Sequence, residues 1–257
     1  MPAKLPVTLQ MYTLRDDSAR DFAGTLKTVA EIGYAGVELA GYNGLAADAV
    51  KRLLDDHNLL VSGMHTGLET LENGFDQVVA DALTLGLEYV IVPYLADNRR
   101  QSIDDYRRVA NALNGFGDRL KTNNLQLCYH NHAFEFEKFG GDKYGFEVLF
   151  DESDPHLVKV EMDAFWVVKA GEDPSAYLRK YAGRVPLIHI KDMTPAPEST
   201  FAEVGEGVID FTPIFEAAEV AGTEYYVVEQ DQTFKHPPLE AVRISFENLK
   251  KMGMIEA

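Results

Sequence analysis

Glu135, Asp163, His189 and Glu229 share one kind of position: each lies at or just beyond the end of a strand-like run, in YHNHAFEF, LVKVEMD, PLIHI and YYVVEQ. A single acid so placed carries little information. Three carboxylates and an imidazole converging on one pocket carry more, because the acids repel unless something positive neutralises them. A divalent cation is the simplest neutraliser. Mostly oxygen donors with one imidazole suit Mn²⁺ first, with Mg²⁺, Co²⁺ and Zn²⁺ as alternatives, and suit copper or an iron–sulfur cluster poorly. The competing reading is a set of rim ion pairs with Arg15, Arg184 and Lys191, which would balance the acids without metal.

Further polar residues hold comparable places. Glu38 in VELAG, His65 in MHTGLE and Lys191 in HIKD are candidate substrate contacts, against plain roles as a rim hydrogen bond, a helix cap and a solvated lysine. In YHNHAFEF a period of two sends His130, His132 and Phe134 to one face and Asn131, Ala133 and Glu135 to the other while the strand lasts. The histidines are therefore not marked as co-ligands of Glu135, and a His-x-His zinc pair is the lesser reading. His132 or His130 is expected to line a substrate pocket or to orient a carboxylate. Trp166 is expected to pack over the pocket mouth, and Glu206, flanked by Gly205 and Gly207, suits a lid or a close backbone approach.

Such residues need elements to hold them. Strand-like and helix-like stretches alternate along all 257 residues, with strands expected at 7–12, 35–40, 59–65, 89–94, 125–130, 157–163, 186–190 and 225–230. Helices follow them, the first over 18–32 with Ser18 as N-cap, another starting near Asp173 with Pro174 in its first turn. Gly33, Gly86, Asn124 and Gly222 suit the left-handed position that ends a helix. Eight units of about thirty residues favour an α/β fold of the (β/α)8 TIM barrel class, as a single domain over 1–257. An open doubly wound sheet is the runner-up, but YTLRDD after the first strand lacks a glycine-rich phosphate turn. In a barrel, chemistry collects at the carboxyl ends of the strands.

Composition narrows the class of function. Lys and Arg number 24 against 41 Asp and Glu, a net charge of −17, so nucleic acid is a poor partner. No stretch approaches the apolar length that spans a bilayer, and MPAKLPVTLQ lacks a secretory apolar run, so no membrane partner and a cytoplasmic location are expected. Cys128 is the only cysteine, which excludes an intrachain disulfide, and in LQLCY it reads as buried packing.

NHAFEF, EMDAFW, LIHIKD, GEGVIDF and VVEQD, in this order and over nearly the whole chain, resemble the sugar phosphate isomerase/epimerase family, whose barrels are xylose isomerase-like. The resemblance implies one divalent metal held by Glu135, Asp163, His189 and Glu229, with Glu135 and Glu229 also moving protons. It implies a metal-dependent isomerase or epimerase of a sugar or keto sugar. The chemistry would start with proton abstraction beside a carbonyl and pass through an enediolate. The same first step followed by β-elimination would make a lyase acting on a keto-inositol or keto-glycoside. Phosphodiester cleavage by a related barrel and non-catalytic sugar binding are the remaining rivals. Trp166 and Pro195 stand where ketose 3-epimerases resembling this family carry a His and an Arg, which points away from that specificity. A small carbohydrate is the expected partner, with homo-oligomerisation left open.

Overall fold

The computed structural model describes residues 4–139 and 141–255. In chain order the elements are β1 Val7–Gln10, α1 Arg15–Arg20, α2 Phe22–Ile32, β2 Gly36–Leu39, α3 Ala47–Asp56, β3 Leu60–His65, α4 Leu68–Leu85, β4 Tyr89–Val92, α5 Ile103–Lys121 and β5 Gln126–His130. The second half continues with α6 Gly145–Asp151, β6 Val158–Asp163, α7 Ala164–Lys169, α8 Pro174–Lys180, β7 Leu187–Ile190, a two-stranded hairpin of β8 Asp192–Met193 and β9 Phe201–Ala202, α9 Thr212–Ala221, β10 Tyr225–Val228 and α10 Pro238–Lys251. Strands β1 to β7 and β10 close a parallel barrel in the order β1-β10-β7-β6-β5-β4-β3-β2. This is the expected (β/α)8 architecture.

Both faces of the barrel strands are covered, which is why they read as apolar runs rather than alternating ones. The inward residues divide into layers. Tyr89, Ile91, Cys128, Leu187 and Val227 form an apolar plug at the amino-terminal side of the interior, and Cys128 is fully buried there. Above it the interior turns polar: Thr8 bonds Ser62, Gln10 bonds Glu38, and β6 sends Glu161 and Asp163, two residues apart, inward together. Helix ends follow the expected chemistry. Gly33, Gly86 and Gly222 close α2, α4 and α9 with φ of 114°, 69° and 76°, and Asn124, past α5, has φ of 57°.

Four local expectations change. The first helix is broken, because Asp21 rather than Ser18 caps its longer part by accepting from Gly24 N at 2.9 Å, while Ser18 is buried within α1. Strand β5 ends at His130 as expected, but residues 134–136 form a 3-10 turn, so strand parity does not place Glu135. A short helix, α7, starts directly at the end of β6 with Asp163 as its N-cap, Oδ1 accepting from Trp166 N at 3.0 Å. The long loop after β7 contains the β8–β9 hairpin, and Asp173 caps α8 as expected. No helix among the described residues is long and apolar enough to cross a membrane.

Candidate metal centre and substrate pocket

At the carboxyl ends of the strands lies a cavity of about 480 Å³. Its floor and walls include His65, His130, His132, Lys191, Glu229 and Asp231, with the half-exposed Tyr12 and Tyr94 also lining it. Four strands contribute to one cluster of donors. His130, Asp163, His189 and Glu229 each offer an atom such that all lie within 4.8 Å of one another, and all four residues are buried. His130 Nε2 is 3.6 Å from Asp163 Oδ2, and His189 Nδ1 is 2.9 Å from Glu229 Oε2.

Beneath this group is a second layer. Glu161 Oε2 is 3.0 Å from His130 Nδ1, 3.0 Å from His65 Nε2 and 3.3 Å from His189 Nε2. Glu38 Oε1 lies 2.9 Å from His189 Nε2 and 3.0 Å from His65 Nε2, and receives Gln10 Nε2 at 2.7 Å. Lys191 adds a positive charge to the upper layer. Its Nζ is 2.8 Å from Asp163 Oδ2, 2.5 Å from Glu229 Oε2 and 2.7 Å from Asp231 Oδ1.

The structure therefore brings three of the four expected ligands together and leaves the fourth outside. Glu135 is buried, but its oxygens accept from Tyr129 OH at 2.6 Å and His132 N at 2.7 Å, and it belongs to neither group of clustered donors. The reason is the turn after β5: the strand's last residue, His130, points into the barrel, and the 3-10 turn that follows carries Glu135 behind the wall. His65, His132 and Lys191 line the pocket. Glu38 sits below it as a partner of two imidazoles rather than at its surface. Trp166 stacks obliquely beside His132, ring centroids 5.4 Å apart.

Glu206 is elsewhere, paired at the surface with Lys235 on a loop that Asp192 pins through the backbone N–H groups of Gly205, Gly207 and Ile209. Of the three cations considered as rim partners, only Lys191 meets the clustered acids. Arg184 bonds the carbonyls of Phe150, Ser153 and Val158, and Arg15 caps the Tyr12 carbonyl. Glu161 is a site residue that linear spacing did not mark. Its signal was present in VEMD, where a strand places Glu161 and Asp163 on one face.

Burial and charge set the protonation states. Burial, with the neighbouring His189 and other cations adding to it, holds the His130 imidazole well below the usual histidine range and therefore neutral. Burial also lowers His132, to about 3, with Lys191 the next cause. Burial alone would lower His65 too, but Glu38 and Glu161 outweigh it and lift it to about 9. Glu229 is opposed by its own desolvation, yet Lys191 and His189 keep its carboxyl well below the carboxylate range. Glu135 goes the other way, raised by burial to about 7 despite its hydrogen bonds.

A family model described as the xylose isomerase-like TIM barrel matches residues 26–252. The chain belongs to that family. Among curated relatives, the inosose dehydratase of Lacticaseibacillus casei is 28% identical over 153 residues, 52% of this chain and 50% of the relative. The chain spans about half the length of the first curated relatives it matches. A sugar phosphate isomerase/epimerase from Parabacteroides distasonis ATCC 8503 shares the fold over 99% of this chain and 96% of its own, with a TM-score of 0.86 at 24% identity. The IOLI protein with a binding zinc atom does so over 98% and 100%, with a TM-score of 0.76 at 14% identity.

The donor set in this xylose isomerase-like barrel fits a divalent metal. Asp163 Oδ2 is buried without a hydrogen-bond partner, although the Lys191 ammonium lies 2.8 Å away outside hydrogen-bonding geometry. A neutral imidazole presents Nε2 to it. Two imidazoles and two carboxylates replace the three carboxylates and one imidazole expected from the sequence; such a set still suits Mn²⁺, the first expectation, and of the alternatives suits Zn²⁺ and Co²⁺ better than Mg²⁺.

Proposed function

We propose that the protein is a divalent-metal-dependent lyase that removes water from an uncharged cyclic keto sugar or keto-inositol, beginning with loss of the proton beside the carbonyl. The observation that carries this reading is Glu229, which is at once a member of the clustered donor set and part of the pocket wall, in contact with the Lys191 ammonium. His130, Asp163, His189 and Glu229 would hold the metal. When bound, the ion supplies Lewis acidity, polarising the keto group and stabilising the negative charge that develops as the α-proton leaves.

The chain's own groups supply the rest. Glu229 is ionised and accepts the α-proton. The same carboxyl then returns that proton to the β-hydroxyl on the same face of the ring, water departs, a carbon–carbon double bond forms, and no proton is left over. Lys191, held between Asp163, Glu229 and Asp231, keeps the Glu229 carboxyl ionised at the pocket wall, and the neutral His132 ring lines the pocket beyond β5, three strands around the barrel from β10. The lysine in the wall is already met by Asp163, Glu229 and Asp231, so it is not free to pair with a phosphate monoester. This supports an unphosphorylated substrate.

The inosose dehydratase relatives support elimination over isomerisation. Epimerisation or aldose–ketose isomerisation is the second reading, because Glu229 and His132 put proton-handling groups on two separated walls of the pocket. Both readings share the first step. Incubating keto-inositols and unphosphorylated keto sugars in D₂O with Mn²⁺, Co²⁺ or Zn²⁺ is expected to give an unsaturated product lighter by one water. Deuterium incorporation with conserved mass would select isomerisation instead. Turnover unaffected by exhaustive chelation would reject the metal-dependent reading altogether.

A further inference from the structure

Two overlapping sets of donors meet inside this barrel: the upper one of His130, Asp163, His189 and Glu229, and a lower one of His65, His130, Glu161 and His189. His130 and His189 belong to both, one nitrogen to each. The lower nitrogens, His130 Nδ1 and His189 Nε2, both approach Glu161 Oε2. The upper ones, His130 Nε2 and His189 Nδ1, approach Asp163 and Glu229.

We infer that Glu161 is a positioning residue: its fully buried carboxyl group accepts the N–H of His130 Nδ1, and so turns the opposite ring nitrogen, with its lone pair, up toward Asp163, while Glu38 holds His189 Nε2 in the same layer. The lower set is then not a second metal site but the support of the upper one. This rests on the metal centre proposed above, and adds to it a residue that touches neither metal nor substrate.

The surroundings fit the assignment. A buried imidazole N–H needs an acceptor, and Glu161 Oε2 is the one that His130 Nδ1 meets, at 3.0 Å, while Oε1 has no partner. Glu161 is fully buried, so water does not compete for its oxygens. Its neighbour Glu38 is fixed in turn: Gln10 Nε2 donates to Glu38 at 2.7 Å while Gln10 Oε1 accepts from Tyr12 N at 3.0 Å, which ties the layer to the backbone after β1. The tie sets which end of the Gln10 amide faces Glu38, and that leaves the carboxylates as acceptors for the rings. Carboxylates behind metal-bound imidazoles act in this way generally, and their loss weakens metal binding by ~10–100-fold.

Glu161→Gln keeps the shape and puts an NH₂ donor where an acceptor was. The acceptor left is a neutral carbonyl oxygen, which holds the His130 Nδ1–H less firmly and makes the upper nitrogen a weaker donor to a metal. Three measurements test this. In metal-free wild type, long-range ¹H–¹⁵N spectra of the imidazoles are expected to show His130 as the Nδ1–H tautomer. Metal titration of wild type is expected to give one ion per chain. In Glu161→Gln, competition with a chelator is expected to show a dissociation constant raised ~10–100-fold, with the far-UV spectrum and thermal midpoint close to wild type and Glu161→Asp recovering part of the loss.

Two ions per chain would overturn the inference by making Glu161 and His65 ligands. So would His130 as the Nε2–H tautomer, or unchanged affinity in Glu161→Gln. A wild type that binds no metal would reject the metal centre itself. The tautomer spectrum would still decide what Glu161 does, and needs no variant to fold.

Discussion

At the scale of single residues, the site turns on which groups reach the pocket. Glu229 reaches it and Glu135 does not, so substitutions of the two are expected to diverge. Glu229→Gln should lower kcat by at least ~100-fold, as expected for loss of a positioned proton carrier. Glu135→Gln should keep kcat within ~10-fold, acting only through the position of His132; steady-state kinetics on the two variants checks both. Stability should move the other way for Glu135. Its carboxyl holds a proton up to about pH 7 in the folded chain but only to about pH 4.5 when unfolded, so wild type loses stability as pH rises between those values. The Gln variant lacks that loss, and its advantage in thermal midpoint should grow from pH 5 to pH 8.

Lys191 offers a second residue-scale test. It holds the same carboxylates that a metal would use, and removing a competing cation should tighten metal binding. Lys191→Met is expected to lower the metal dissociation constant several-fold while reducing turnover, read by chelator competition and kinetics on the same preparation. Equal affinity in both proteins would mean that the ammonium and the metal use different oxygens.

At the scale of elements, the ends of strands and the loops beyond them decide the chemistry. Asp192, first residue of β8, accepts from Met193 N, Gly205 N, Gly207 N and Ile209 N at 2.7–3.1 Å, and so ties residues 205–209 down as a fixed strap rather than a free lid. A methyl group on Gly207 would come within 2.2 Å of Asp192 Oδ1, so the close approach itself demands glycine. Asp192→Asn replaces one acceptor oxygen with a donor facing backbone N–H groups. It should cost about 1–3 kcal/mol and speed amide exchange at Gly205, Gly207 and Ile209 selectively. Uniformly faster exchange over the whole barrel would show that Asp192 supports the fold and not the strap.

At the scale of the whole molecule, a net charge of −17 surrounds a pocket whose wall carries Glu229 and Asp231 around a single lysine. The long-range field repels an anionic ligand, and the lysine of the wall, held by three carboxylates, is not free to pair with one. A phosphorylated keto sugar is therefore expected to show a kcat/KM at least ~10-fold below its unphosphorylated counterpart, a gap that narrows as salt screens the field. An inverted preference would place an unpaired cation in the working pocket and revise the substrate class.

Much of this molecule was legible in the order of its residues. Eight apolar runs separated by helical stretches were enough for the barrel, because a parallel sheet buried on both faces leaves an unbroken apolar signature and its crossover helices end on left-handed glycines. Asp163, His189 and Glu229 were legible as well, since each directly ends or follows such a run. The fourth donor was not. Glu135 and His130 sit five residues apart in one motif, and only the point where β5 gives way to a 3-10 turn puts His130 in the cluster and Glu135 behind it. Glu161 escaped notice for a related reason: its partners are imidazoles from three other strands, and linear spacing holds no record of which ring nitrogen faces which carboxylate across a closed barrel.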